Sequence, residues 1–140
     1  MREIIFRGKR KENGEWVEGY YARKGVDKDT FKHFICVMTF NVNGNTYSSM
    51  FYLTDIEVAP ETVGQYTDLT DKNGTKIFEG DIVHWKKVPY FVRWDSKKAE
   101  FVFANDMEAD YFVVGFNEHT TMKFCKVVGN IHDNPELLQD

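Results

Sequence analysis

The sequence predicts a mainly β protein, built from antiparallel hairpins and a tight meander and closed by a short C-terminal helix. Three observations lead there. Asn-Gly pairs at Asn13-Gly14, Asn43-Gly44 and Asn73-Gly74 recur about every 30 residues, and this dipeptide tolerates the left-handed backbone that hairpin turns need. Aromatic residues make up 16% of the chain, twelve of them Phe, a usage that suits pleated, half-buried surfaces. No window of about ten residues sustains the ~3.6-residue apolar period of an amphipathic helix.

The elements follow in order. Ile4 to Arg10 and Trp16 to Tyr21 are strand-like runs around Asn13-Gly14, a first hairpin. Gly25 to Lys32 is polar and reads as a loop. Phe34 to Phe40 is a near-continuous apolar run that Asn41 to Asn45 turns into Tyr47 to Leu53, a second hairpin. After Pro60, Thr62 to Tyr66 precedes the third Asn-Gly, which is flanked by Leu69 and by Lys76-Ile77-Phe78. From Asp81 come three short runs, IVHW, YFVRW and EFVFA. Tyr90, Val92 and Trp94 share one face at a spacing of two, as do Phe101 and Phe103, so an antiparallel meander with one wet side is expected. Asn105 to Asp110 reads as loop. Lys126 to Ile131 is a last strand, and Asp133 or Asn134 caps a short helix with Pro135 at its first position. A Gly-Asp-Ile-Val step at Gly80 to Val83 leading into a tight meander looks like the opening of an SH3-like barrel. The chain, 1–140, is expected to be a single domain, with residues 1–62 as an N-terminal hairpin region and 63–140 as the SH3-like β-barrel region.

Composition narrows the function classes. The net charge of −4 supplies no global field to attract a polyanion, although local patches still can. Two cysteines, Cys36 and Cys125, sit in apolar runs without a C-x-x-C partner, which fits free buried thiols in a reducing, cytoplasmic compartment. No apolar run approaches the ~18 residues of a membrane span, so no membrane role is expected.

The stretch TDKNGTKIFEGDIVHW, Thr70 to Trp85, gathers Asp71, Glu79, Asp81 and His84. An EF-hand fails on position, because counting from Asp71 puts glycine fourth and Ile82 twelfth. His33, His84, His119 and His132 are scattered singly, so no zinc set forms, and neither a metal nor any other cofactor is expected. Glu79 and Asp81 share a strand side, but acid/base work needs one of them desolvated, and solvated turn acids are the expectation. Strand alternation separates Asp81 from His84. Trp85 and Trp94 read as packing.

Three blocks, IIFRGKRKENGEWVEGYY, VGQYTDLTDKNGTKIFEGDIV and VVGNIHDNPELL, in this order and over essentially the full chain, resemble the YopX-like family of proteins carried by phages and prophages of Gram-positive bacteria. The resemblance implies a small, cytoplasmic, mostly β protein without assigned catalytic residues. One departure is local: Asp68 stands where the family pattern Gly-Gln-Tyr-Thr-Gly-Leu has glycine.

Three functions of different class remain. The first is a non-enzymatic interaction or accessory protein, binding a host or phage protein or itself as a homo-oligomer. The alternative is a single-stranded nucleic-acid-binding module. Arg7, Lys9, Arg10 and Lys11, with Arg2, cluster on the first hairpin beside Trp16, Tyr20 and Tyr21, and cations beside aromatic faces suit single strands. The competing reading is a sheet edge that its cations protect from aggregation. Lys86, Lys87, Lys97 and Lys98, at turns of the meander, extend that patch if the fold gathers them. Last comes a hydrolase using Glu79, Asp81 and His84, or a triad of Asp27, His33 and Ser48 or Ser49, which no nucleophile signature supports.

Overall fold

The computed structural model describes residues 1–42, 49–105, 113–115 and 124–138. The chain is mostly strand, antiparallel throughout, and divides into two compact units, Ile4–Gly64 and Met1–Glu3 with Gln65–Asp140.

The first unit is a ladder of β1 (Phe6–Lys9), β2 (Trp16–Gly25), β3 (Phe31–Val42) and β4 (Ser49–Glu57), each paired with the next. The β1–β2 turn is wider than a two-residue hairpin. Arg10 N–H donates to the Glu15 carbonyl at 2.9 Å and Gly14 N–H to the Arg10 carbonyl at 2.8 Å. Asn13 acts through its side chain, whose Oδ1 accepts Glu15 N–H at 3.0 Å, while Gly14 takes the left-handed backbone, φ +72°. The expected Gly25 to Lys32 loop is shorter, Val26 to Thr30, and Asp27 Oδ1 closes it by accepting Asp29 and Thr30 N–H at 2.9 Å each. The Asn43-Gly44 turn lies outside the described residues. Alternation sends Ile35 inward, fully buried. After β4, buried Val58 donates its N–H to the His33 carbonyl at 2.9 Å, and a 3-10 turn, Pro60–Thr62, follows. Thr62 Oγ1 accepts Lys9 N–H at 2.9 Å, tying that turn to β1.

The second unit opens with β5 (Gly64–Thr70) paired to β6 (Lys76–Phe78). It continues as β7 (Asp81–Trp85), β8 (Val88–Asp95), β9 (Glu100–Ala104), β10 (Val113–Gly115) and β11 (Cys125–Asn130), forming a five-stranded sheet in the order β10-β9-β8-β7-β11. The meander is therefore present, but it stays open: β10 and β11 are its two edges, and no barrel closes among the described residues. The expected Asn105 to Asp110 loop lies, beyond Asn105, outside the described residues, and β10 follows it unforeseen.

Both faces of this sheet carry apolar side chains. Val83, Tyr90, Val92, Phe103 and Cys125 pack with Ile77 on one face. On the other, Ile82, Phe91 and Ala104 are met by Val128, Ile131, Leu137 and Leu138. The expectation of one wet side is thus corrected, because the C-terminal segment returns over the second face. That segment is a 3-10 turn, Pro135–Leu138, in place of the expected helix. Asn130 organises its start, with Oδ1 accepting His132 and Asp133 N–H at 3.0 and 2.9 Å.

Candidate functional site

The acids of Thr70 to Trp85 are absorbed into the scaffold to a degree the sequence did not suggest. Asp71 is 3% exposed. Its Oδ1 accepts Asn73 and Thr75 N–H, both at 2.9 Å, which shapes the turn around Gly74 (φ +80°), and its Oδ2 accepts Val127 N–H from β11 at 2.9 Å. Asp81 is 2% exposed, and its Oδ2 accepts Phe78 N–H at 2.8 Å. The expectation of solvated acids, made of Glu79 and Asp81, fails for Asp81 and holds only in part for half-buried Glu79; the Asp71 and Asp81 carboxylates each satisfy backbone donors. His84 is exposed and sits toward the far end of β7, so it does not meet Asp81. The paper triad also disperses: Asp27 closes its own turn, His33 Nδ1 lies 2.5 Å from Tyr21 Oη, and Ser48 lies outside the described residues. Among the described residues no metal-ligand set of His, Cys, Asp or Glu converges; His119 lies outside them.

On the first hairpin, the β1–β2 register opposes Arg7 to Glu18 and Lys9 to Trp16, which puts Arg7, Lys9, Trp16 and Tyr20 on one face. Arg7 lies 4.7 Å and Lys9 5.7 Å from the Trp16 ring centre, so that ring is already in contact with cations. Tyr20 is exposed. Arg10 and Lys11 fall in the turn, where Arg10 pairs with Glu12 at 3.1 Å and Lys11 with Glu57 at 3.2 Å. Lys24 is held by Asp55, and Lys32 reaches Glu57 at 4.0 Å. Carboxylates of β4 thus answer much of the charge that the sequence concentrates here.

A second cationic cluster survives without such answers. Lys72, His84, Lys86, Lys87, Phe124 and Lys126 line an open hollow of about 490 Å³. Three pieces of chain bring them together. Lys72 N–H donates to the Cys125 carbonyl at 3.1 Å, which docks the Asp71 to Thr75 turn against the start of β11. Lys126 stands opposite His84 in the β7–β11 register. Trp85 opposes Val88, leaving Lys86 and Lys87 as a two-residue turn between β7 and β8. Both lysines take the left-handed backbone, φ +52° and +65°, as a type I′ turn requires, where Asn-Gly would be the comfortable choice. Lys86 Nζ lies 4.9 Å from the Trp85 ring centre, and Phe124 is 60% exposed at the rim. Among the described residues no carboxylate lines the hollow, and none pairs with its lysines. Lys97 and Lys98 do not join them. They lie at the other end of β8, with their N–H groups on Asp95 Oδ1 at 3.0 and 3.4 Å.

The lysine pair was visible in the sequence; Lys72, Phe124 and Lys126 were not, since only the β7–β11 register and the Asp71 turn deliver them.

Fold and hollow together define a class: a small antiparallel β protein presenting a lysine-lined recess. Residues 5–139 match the family model described as YopX protein, and the chain belongs to the YopX family, as its three blocks indicated. The crystal structure of protein EF1440 from Enterococcus faecalis is similar in fold, with a TM-score of 0.64 at 21% identity, covering 99% of this chain and 100% of that one. No curated protein matches the chain. The departure at Asp68 has a physical resolution: its φ is +69° at the irregularity in the β5–β6 register, a conformation that suits glycine and that Asp tolerates better than most residues. No helix of the described residues is long and apolar enough to cross a membrane.

Proposed function

We propose that this YopX-family chain is a non-enzymatic accessory protein that binds single-stranded nucleic acid through the hollow lined by Lys72, His84, Lys86, Lys87, Lys126 and Phe124. The observation that carries the reading is the convergence of those lysines, from three separate pieces of chain, in a recess that no carboxylate of the described residues lines, on a protein whose net charge is −4. A chain with surplus acid keeps such a cluster unneutralised only against electrostatic self-energy, and phosphodiesters are its natural complement. Exposed Phe124 offers a face on which an unpaired base can stack. The first hairpin is the weaker surface, because Arg10 and Lys11 already have carboxylate partners.

The test is fluorescence anisotropy of a labelled single strand of about 15 nucleotides across a salt series. Each neutralised phosphate contributes about −0.7 to the slope of log K against log salt, so Lys72, Lys86, Lys87 and Lys126 together give about −2.8. Replacing Lys86, Lys87 and Lys126 by Ala flattens the slope to about −0.7 on the same arithmetic. Phe124→Ala costs about 1–3 kcal/mol of binding with the slope unchanged. Arg10→Ala with Lys11→Ala leaves both quantities where they were. Unaltered binding in the lysine triple variant, or loss of binding in the hairpin variant, would overturn the assignment.

A further inference from the structure

We infer that a second site in the Gln65–Asp140 unit, formed by Glu79, Gln65, Trp94 and Phe101, binds a guanidinium group. This inference is independent of the nucleic-acid reading.

Glu79 lies between β6 and β7, where its N–H donates to the Gln65 carbonyl at 2.9 Å. Trp94 and Phe101 are directly opposed across the β8–β9 ladder, with ring centres 5.0 Å apart and planes at 73°, edge to face. Together with Gln65 they line a pocket of about 260 Å³. Two features of this pocket suit it to a ligand. Trp94 is 44% exposed, where a packing tryptophan would be covered. Glu79 is half-buried, and burial pushes its carboxyl above the ordinary carboxylate range, against the opposing pull of backbone amides at Gln65 and Trp94. Among the described residues no cation pairs with it. A carboxylate withdrawn from water, steadied by backbone amides, facing an open aromatic wall and without a counter-ion among the described residues, is complementary to an organic cation.

The shape and size favour guanidinium over ammonium. Arginine-type cations are planar, stack on aromatic faces and fork onto carboxylates, whereas an ammonium prefers its own hydration. Sites for drug-sized ligands begin at about 300 Å³, so this pocket takes one head group. The guanidinium can come from a free small molecule or from an arginine displayed on a peptide.

The experiment follows the indole N–H resonances of the three tryptophans by NMR, with the Trp94 signal identified by its absence in Trp94→Phe. Agmatine, butylamine and the capped peptide Gly-Gly-Arg-Gly-Gly are each titrated to about 20 mM, a range set by millimolar affinity for a single head group. Agmatine or the peptide is expected to shift the Trp94 signal saturably while butylamine responds at least about threefold more weakly, and Glu79→Gln, its fold verified by an otherwise unchanged spectrum, loses the response. Should Glu79→Gln fail to fold, Trp94→Ala serves instead, followed on the backbone amides of Gln65 and Phe101. Peptide binding about tenfold tighter than agmatine assigns the source to a protein partner, and the reverse order to a free guanidine; either supports the site. A silent Trp94 signal, an equal response to butylamine, or undiminished binding in Glu79→Gln overturns it.

Discussion

Replacing Asp71 by alanine removes one carboxylate on which three backbone amides depend. Two of them, Asn73 and Thr75, belong to the local turn, and the third, Val127, belongs to β11 more than fifty positions away. The turn amides border exposed residues and recover water when the acid is gone, so they resemble a lost helix cap at about 0.5–1 kcal/mol each. Val127 N–H is part-buried and loses a charge-assisted bond at about 1.5–3 kcal/mol. The sum is about 2.5–5 kcal/mol, or a fall in melting temperature of about 8–15 °C at ~3 °C per kcal/mol for a chain of this size. Asp71→Asn separates the two parts. Its amide oxygen keeps the turn, but its NH2 confronts Val127 N–H, so about half the loss is expected, with hydrogen exchange accelerated at Val127 and not at Thr75. Thermal unfolding with amide exchange provides the readout. A loss below about 1 kcal/mol in Asp71→Ala, or exchange unchanged at Val127, would refute the clamp.

Further expectations concern single positions. At Asp68, φ +69° makes Asp68→Gly neutral or stabilising by about 0.5 kcal/mol, whereas Asp68→Val costs about 1–2 kcal/mol by chemical denaturation. Burial pushes the Cys125 thiol up to about 11 and raises Cys36 as well; at about pH 8 native protein should leave Ellman's reagent uncoloured for minutes, both thiols reacting only on unfolding. Glu79 holds its proton more tightly folded than unfolded, so its favourable contribution is complete below the unfolded value and fades as pH climbs through the folded one. The melting temperature of Glu79→Gln should therefore gain on the parent as pH rises above the ordinary carboxylate value of 4.5 and level off once the folded group has ionised, and a pH-independent difference would contradict the burial. Replacing Lys86-Lys87 by Asn-Gly should raise stability by about 1–2 kcal/mol and remove about 1.4 from the salt slope.

The strands were legible where turn chemistry announces them. Asn13-Gly14 and Asn73-Gly74 sit at turns whose glycines take positive φ, and alternation correctly grouped Tyr90 with Val92 and Phe101 with Phe103. The limits of that legibility are physical. The second sheet face reads as wet in the sequence because its cover, Ile131, Leu137 and Leu138, arrives from the end of the chain, and periodicity within a strand carries no information about what returns over it. The Lys86-Lys87 turn is legible from the runs that flank it, whereas its left-handed type is not, since two lysines violate the residue preference by which such turns are recognised. The hollow was hidden because Lys126 meets His84 only through a register between strands forty residues apart. Charges on the first hairpin were easy to see and easy to overvalue, because the acids that answer them lie on β4.

The backbone of the Lys86-Lys87 turn has a bearing on how this surface changes over generations. Lysine and asparagine codons are a single base apart, and at both positions asparagine relieves the left-handed strain. Drift under selection for folding alone therefore leads downhill, away from lysine. A lineage that stops using the hollow should shed these two side chains before it loses any strand, which makes their presence or replacement among relatives a readable record of whether the surface is still in service.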